Sequence, residues 1–214
     1  IEHLHGYAWL REFEKMISTL DLSISNNVAI TPTTDWYYYS PENLEELKKR
    51  AGLEFISEDL KQQWEKDIST ELDTMSEEQL NSYSVRRKRN YEARNGLTGL
   101  AYKQGATLLV GPDLEGYYGV PGFGYVEELK HFVKSGLSNF DVLKAASYNM
   151  AIARGTEITE GTIKTGALAN LVILNENPLE NIENVTSAEF VVLRGTIFSK
   201  AELITALKSL PLYE

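Results

Sequence analysis

Two uninterrupted apolar runs constrain this sequence more than any other feature. "NNVAITPTT" at 26–34 is stopped at Pro32, and "GATLLVGPD" at 105–113 ends in Gly-Pro-Asp. A strand that is apolar on both sides must be covered on both faces, as parallel strands with crossover helices are. Proline has no N–H to give to a ladder, so each run stops there and a loop leaves its C-terminal end. A third, shorter run, "IEHLHGY" at 1–7, reads as a short strand or a strand end. Between the first two, "WLREFEKMISTL" places Leu10, Phe13, Ile17 and Leu20 at helical spacing. Strands alternating with helices predict an α/β fold with a parallel sheet.

The long gap between the two apolar runs is helical in pattern. Ser40-Pro41 is a helix start, Leu44, Leu47 and Ala51 share a face, and Gly52 is a stop. Ser57 opens a second helix, and Ser76-x-x-Gln79 is a capping box ahead of a long polar helix to about Lys103. We read about 41–94 as a charged, peripheral insertion. Beyond Asp113, a Gly/Tyr-rich loop leads to "YVEELKHFVKSG", which is expected to bury Val126, Leu129, Phe132 and Val133 and to leave His131 at the surface. "SNFDVLKAASYNMAIARG" then reads as one helix capped by Ser138 and ended by Gly155. We divide the chain into an α/β part, 1–155, and a tail, 156–214. The tail holds the β patterns "ALANLVILN" and "AEFVVLRGTIF", a turn at Gly195 and a closing helix.

Charge and composition narrow the chemistry. The 214 residues carry a formal net charge of −10, which argues against nucleic acid as the main partner. The one basic run, "RRKRN" at 86–90, reads as a solvated helix face. With no cysteine, thiol nucleophiles, thiolate ligands and disulfides are excluded, so any metal must be held by histidine and carboxylate. No apolar run approaches the roughly 20 residues of a membrane helix. Nothing here specifies a cellular compartment.

In a parallel α/β barrel, reactive groups sit where strands end at the C-terminal rim. His3 ends the first run, Pro32-Thr33 the second and Asp113 the third, so all three would face one rim. A His/Asp site for a divalent metal can be built there. His3 and His5 would share a face if that stretch stayed extended. The plainer alternatives are a loop histidine bonded to backbone and a turn aspartate after Pro112.

The order and wording of these segments resemble the C-terminal half of an amidohydrolase-superfamily enzyme of the imidazolonepropionase and Xaa-Pro dipeptidase branch. The matching pieces are "IEH" at 1–3, "VGPD" at 110–113, "VEELKHFVKSGLSNFDVLKAAS", "NMAIARG", "GTIKTG", "ANLVILNENPLENI" and "FVVLRGTIF". Asn170 stands where that pattern carries aspartate, in a tail strand away from the chemistry. The resemblance implies a partial (β/α)8 TIM-type barrel, strands six to eight, with a portion of a small β-sandwich. It implies hydrolysis of C–N bonds in a small amide, cyclic amide or dipeptide, with one or two divalent ions, zinc foremost. His3 would be the strand-six ligand, and Asp113 would bind metal and take the proton of the attacking water.

From His3 to Asp113 is too short a span for the roughly 250 residues of a complete barrel. His5 therefore belongs to a pocket or a supporting role and not to the strand-one pair. Strands one to five, with their ligands, are expected in a missing N-terminal half. The chain alone is then expected to be inactive, with an open sheet edge that favours pairing between copies. Trp36, Tyr37 and Tyr117, near the rim, form a substrate pocket or else pack the loops. The competing readings are a barrel-derived binding protein whose metal centre has decayed, and an inactive structural fragment.

Overall fold

The computed structural model describes residues 1–8, 10, 12–114 and 116–212. Trp9 and Arg11, at the head of the first expected helix, and Glu115, in the loop after Asp113, lie outside the described residues.

The three runs lie side by side in parallel. Glu2 bridges Thr31 and Ile30 bridges Leu108, so the run around Ile30 is central. His3 N–H donates to the Thr31 carbonyl at 2.9 Å, and Leu109 N–H donates to that of Ile30 at 2.9 Å. Helix α1 (His5–Ala8) follows the first run directly, and α2 (Phe13–Ser25) carries the chain to the second. Pairing is confined to single bridges because the chain turns away at once. His3, Leu4, Thr33 and Asp113 all have positive φ, 62°, 56°, 50° and 48°. The core lies beneath this layer, where Leu4, Leu20, Ile30, Leu108, Val110 and Phe132 are buried.

The insertion folds as its signals specify. After α3 (Leu44–Leu47), Ser57 Oγ caps α4 (Glu58–Asp73) by accepting from Leu60 N–H. The Ser76/Gln79 box opens α5, Glu77–Lys103, a helix of 27 residues. Tyr39, Leu47, Ile68 and Tyr118 form a second apolar cluster with Trp64 packed on it. Of the basic run, Arg86, Lys88 and Arg89 face solvent, while Arg87 Nε donates to the Tyr39 carbonyl at 2.8 Å. The insertion is not peripheral at its end: Tyr91 and Arg94 are buried, and α5 continues into the main core with Leu97 and Ala101. Gly99 is where α5 meets the end of the next helix, since a Cβ there would stand 2.3 Å from the Ser135 carbonyl oxygen. Gly99→Ala is therefore expected to cost about 1–3 kcal/mol of overpacking, against about 1 kcal/mol regained in helix propensity. Urea unfolding at constant m-value checks it.

Helix α6 (Gly124–Lys134) buries Leu129 and Phe132 as the spacing predicts, with Val126 and Val133 half-buried. The stretch read as one helix is two, α7 (Asn139–Ala146) and α8 (Tyr148–Arg154), broken at Ser147 with φ −133° and ψ −77°. Ser138 caps the first, and Gly155, with φ 69°, ends the second. The tail forms a three-stranded antiparallel sheet of β1 (Leu171–Leu174), β2 (Ala188–Leu193) and β3 (Thr196–Ser199), followed by α9 (Lys200–Lys208). Arg194 and Gly195, with φ 49° and 85°, make the two-residue turn that the right-handed twist of a hairpin favours. Among the described residues this is one sheet and not a sandwich, and it leaves Val172, Ile173 and Ile197 exposed. No helix among the described residues is long and apolar enough to cross a membrane.

Candidate active site

The parallel pairing brings His3, Thr33 and Asp113 to one edge. Each sits in left-handed backbone, a conformation that costs of order 1 kcal/mol or more for a residue with a side chain and that concentrates at functional sites. His3 Nδ1 lies 2.8 Å from Thr33 Oγ1 and 3.4 Å from Asp113 Oδ2. Thr33 Oγ1 donates its own proton to the Pro32 carbonyl at 2.8 Å, which leaves it an acceptor for Nδ1–H. That bond sets the tautomer and turns the lone pair of Nε2 outward, the arrangement that second-sphere donors give metal-binding histidines. Nε2 makes no hydrogen bond among the described residues.

His5 is not on the strand. The turn at His3-Leu4 places it at the start of α1, yet the His3 and His5 rings stand 5.4 Å apart. The Tyr37 hydroxyl lies 2.6 Å from His5 Nε2. Burial first, then the positive charge of Arg94 and the nearby His3, hold the His5 pKa below its ordinary 6.5. The neutral imidazole is thus favoured at pH 7, and it shares one hydrogen bond with the Tyr37 hydroxyl. Arg94 lies over Tyr37, with its guanidinium carbon 3.5 Å from the ring centroid. Trp36 and Tyr117 line a small crevice with Asp113, Asp35 and Gly116. Tyr117 also packs edge-on against Tyr39 at 5.2 Å, so it serves loop packing as well as the crevice.

Beneath the rim lies a buried polar network. Glu128, fully buried on α6, accepts from Thr34 N–H at 2.8 Å and Asp35 N–H at 2.7 Å. Asp35 is gripped by Arg50, with Nη1 3.0 Å from Oδ2, and by His131 Nε2 at 3.1 Å. Tyr91 OH approaches His131 Nδ1 at 2.8 Å. His131 is therefore not a surface histidine but is 6% exposed. Its ring closes the network that pins the loop carrying Thr33, Trp36 and Tyr37. Burial would raise the Asp35 pKa, but the His131 hydrogen bond and the Arg50 charge outweigh it and hold the carboxyl below its usual range.

For Glu128 burial wins over its two backbone donors, and its pKa is pushed up to about 8. The folded state then retains a proton that the unfolded chain releases near pH 4.5, so stability should fall as pH rises from about 4.5 to 8 and level off above. Urea midpoints across that range check it, and Glu128→Gln should flatten the slope.

The donor chemistry of His3 and Asp113, one imidazole nitrogen and one carboxylate, suits zinc and similar divalent ions. The count does not close a site: no group of three or more His, Cys, Asp or Glu side chains converges among the described residues. A zinc centre needs at least three protein ligands, so this pair fits as part of one.

The sequence profile of the amidohydrolase family matches residues 37–197. The chain belongs to the amidohydrolase family. Asp113, Tyr37, Arg94 and Tyr117 lie inside the matched span, and His3, His5 and Trp36 precede it. Among solved structures, the chain is similar to a bottromycin amidohydrolase, at TM-score 0.66 and 18% identity over 98% of this chain and 49% of that one. It is similar to a Xaa-Pro dipeptidase with bound methionine in its active site, at 0.60 and 20% over 93% and 39%. It is also similar to the ochratoxinase of A. niger, at 0.56 and 19% over 92% and 36%. The chain thus spans less than half the length of each. No curated protein sequence matches it.

Proposed function

We propose that this chain supplies the C-terminal part of a (β/α)8 barrel that hydrolyses C–N bonds in a small amide or peptide-like substrate. The observation that carries the reading is the meeting of His3 Nδ1, Thr33 Oγ1 and Asp113 Oδ2 at the C-terminal ends of parallel runs. In this reading the runs ending at His3, Thr33 and Asp113 are strands six, seven and eight. Residues 1–155 are the barrel part with the insertion at about 41–94. Residues 156–214 are one half of a small β-sandwich. Strands one to five and the remaining ligands come from the missing N-terminal half, in keeping with the share of each relative that the chain spans.

His3, through Nε2, and Asp113 would hold a divalent metal, zinc foremost. Bound there, the ion supplies Lewis-acid activation of water, lowering its pKa toward about 7. Asp113 accepts the proton of the attacking water and delivers it to the leaving amine. Thr33 keeps the His3 ring in register, and Trp36, Tyr37 and Tyr117 shape the substrate end. His5 stays neutral and orients Tyr37. The complete protein is expected to hold about two divalent ions and to lose turnover on chelation. Elemental analysis beside an amidase assay tests this, and a metal-replete protein that binds none would overturn it.

A further inference from the structure

Glu128 occupies a place on α6 where an aliphatic side chain of its size would pack at no cost. It is fully buried, one turn before the buried Phe132. A buried carboxyl is costly unless its oxygens find donors, and both of these go to one short stretch. Oε1 accepts from Thr34 N–H at 2.8 Å and Oε2 from Asp35 N–H at 2.7 Å. These N–H groups open the single turn Asp35–Tyr37, which the Thr34 side chain does not cap. Directly before that turn stands Thr33, buried and β-branched, at φ 50°. Such a residue avoids left-handed backbone unless its surroundings hold it there. Its hydroxyl lies 2.8 Å from His3 Nδ1. From buried acid to imidazole the path is two backbone N–H groups, one strained residue and one hydroxyl.

We propose that Glu128 is a positioning residue for His3: by holding the backbone just after Thr33, it aims the Thr33 hydroxyl at Nδ1 and so fixes the tautomer and direction of the ring. This rests on the reading of His3 as a metal ligand and deepens it. Arg50 and His131 also secure this turn, but they act on the Asp35 side chain. The N–H groups next to Thr33 are left to Glu128. Groups that orient a ligating histidine are commonly worth about 10- to 100-fold in metal affinity without touching the metal.

The test is zinc affinity, by competition with a chromophoric chelator, on the protein carrying the complete barrel. Glu128→Met fills the space and removes both acceptors, and it should weaken zinc binding about 10- to 100-fold. Glu128→Gln keeps one acceptor, should lose less, and carries the comparison if Glu128→Met does not fold. Thr33→Val keeps the shape without the hydroxyl and should show a loss like that of Glu128→Met. The double variant should then lose no more than the larger single one. Ser138→Ala, which removes the cap of α7, controls for plain destabilisation and should bind zinc as the parent does. Unchanged affinity in the Glu128 variants, losses that add across the pair, or the same loss in Ser138→Ala would each overturn the role. A parent that binds no zinc would sink the metal reading, and nitrogen NMR of the His3 ring in the metal-free protein then decides the positioning. The Nδ1–H tautomer should dominate in the parent and give way to a mixture in Glu128→Met, whereas identical shifts in the two would overturn the proposal.

Discussion

Replacing Asp113 by Asn is expected to lower amide turnover in the complete protein by about two to four orders of magnitude, the usual worth of a positioned proton acceptor. Asparagine keeps the shape and one oxygen but cannot take a proton, so the loss should fall on kcat more than on KM. The residue is half-exposed at the rim and makes no hydrogen bond into the core among the described residues, so the variant should unfold within about 0.5 kcal/mol of the parent. A steady-state profile and a urea titration on the same preparation separate the two effects. A variant that turns over normally would remove Asp113 from the chemistry.

The second large effect is expected in stability. Asp35→Ala takes the anion from between Arg50 and His131 and leaves a largely buried guanidinium with the Tyr38 ring beside it and no counter-charge from Asp35. Truncating one member of such a pair costs about 3–5 kcal/mol, chiefly because the partner stays buried and uncompensated. That is a large share of the 5–15 kcal/mol that holds a domain folded. Because the folded pKa of Asp35 lies below 3.8, its contribution is complete above that value and is lost as pH falls through the folded pKa. The parent should therefore soften in acid below about pH 4, and Asp35→Ala should be the less acid-sensitive of the two. Denaturant midpoints from pH 3 to 7 check both statements.

The positions of His3 and Asp113 were legible because strand ends can be read from prolines and apolar runs. Where parallel strands end, their loops must meet. The helix caps at Ser57, Ser76 and Ser138 were legible for a similar reason, since each is a local bond between residues a few positions apart. The buried network was not. Glu128 and His131 fall on the same stripe of α6 as Gly124 and Phe132, but polar residues on a helix are ordinarily solvated. Their partners, Thr34, Asp35 and Tyr91, lie far away in sequence. A periodicity count that admitted Glu and His to the apolar stripe would have flagged them. Arg94 was hidden differently, at the end of a charged helix whose first turns do face water. The break at Ser147 had no proline or glycine to announce it. The tail strands were found from their β patterns and the turn at Gly195.

Helix α5 belongs to two structures at once. At about 1.5 Å per residue, its 27 residues form a rod of about 40 Å. One end stands among the insertion helices, while the other is wedged between the parallel layer and α6. Arg87 and Arg94 are seven residues apart, two turns along nearly the same face. One reaches the carbonyl of Tyr39, and the other lies on the ring of Tyr37. The aromatic loop is thereby riveted to this rod at two points. A tilt of the outer helices would therefore act on the tyrosine that touches His5. What looks in the sequence like a peripheral insertion is a lever arm on the aromatic loop beside His5.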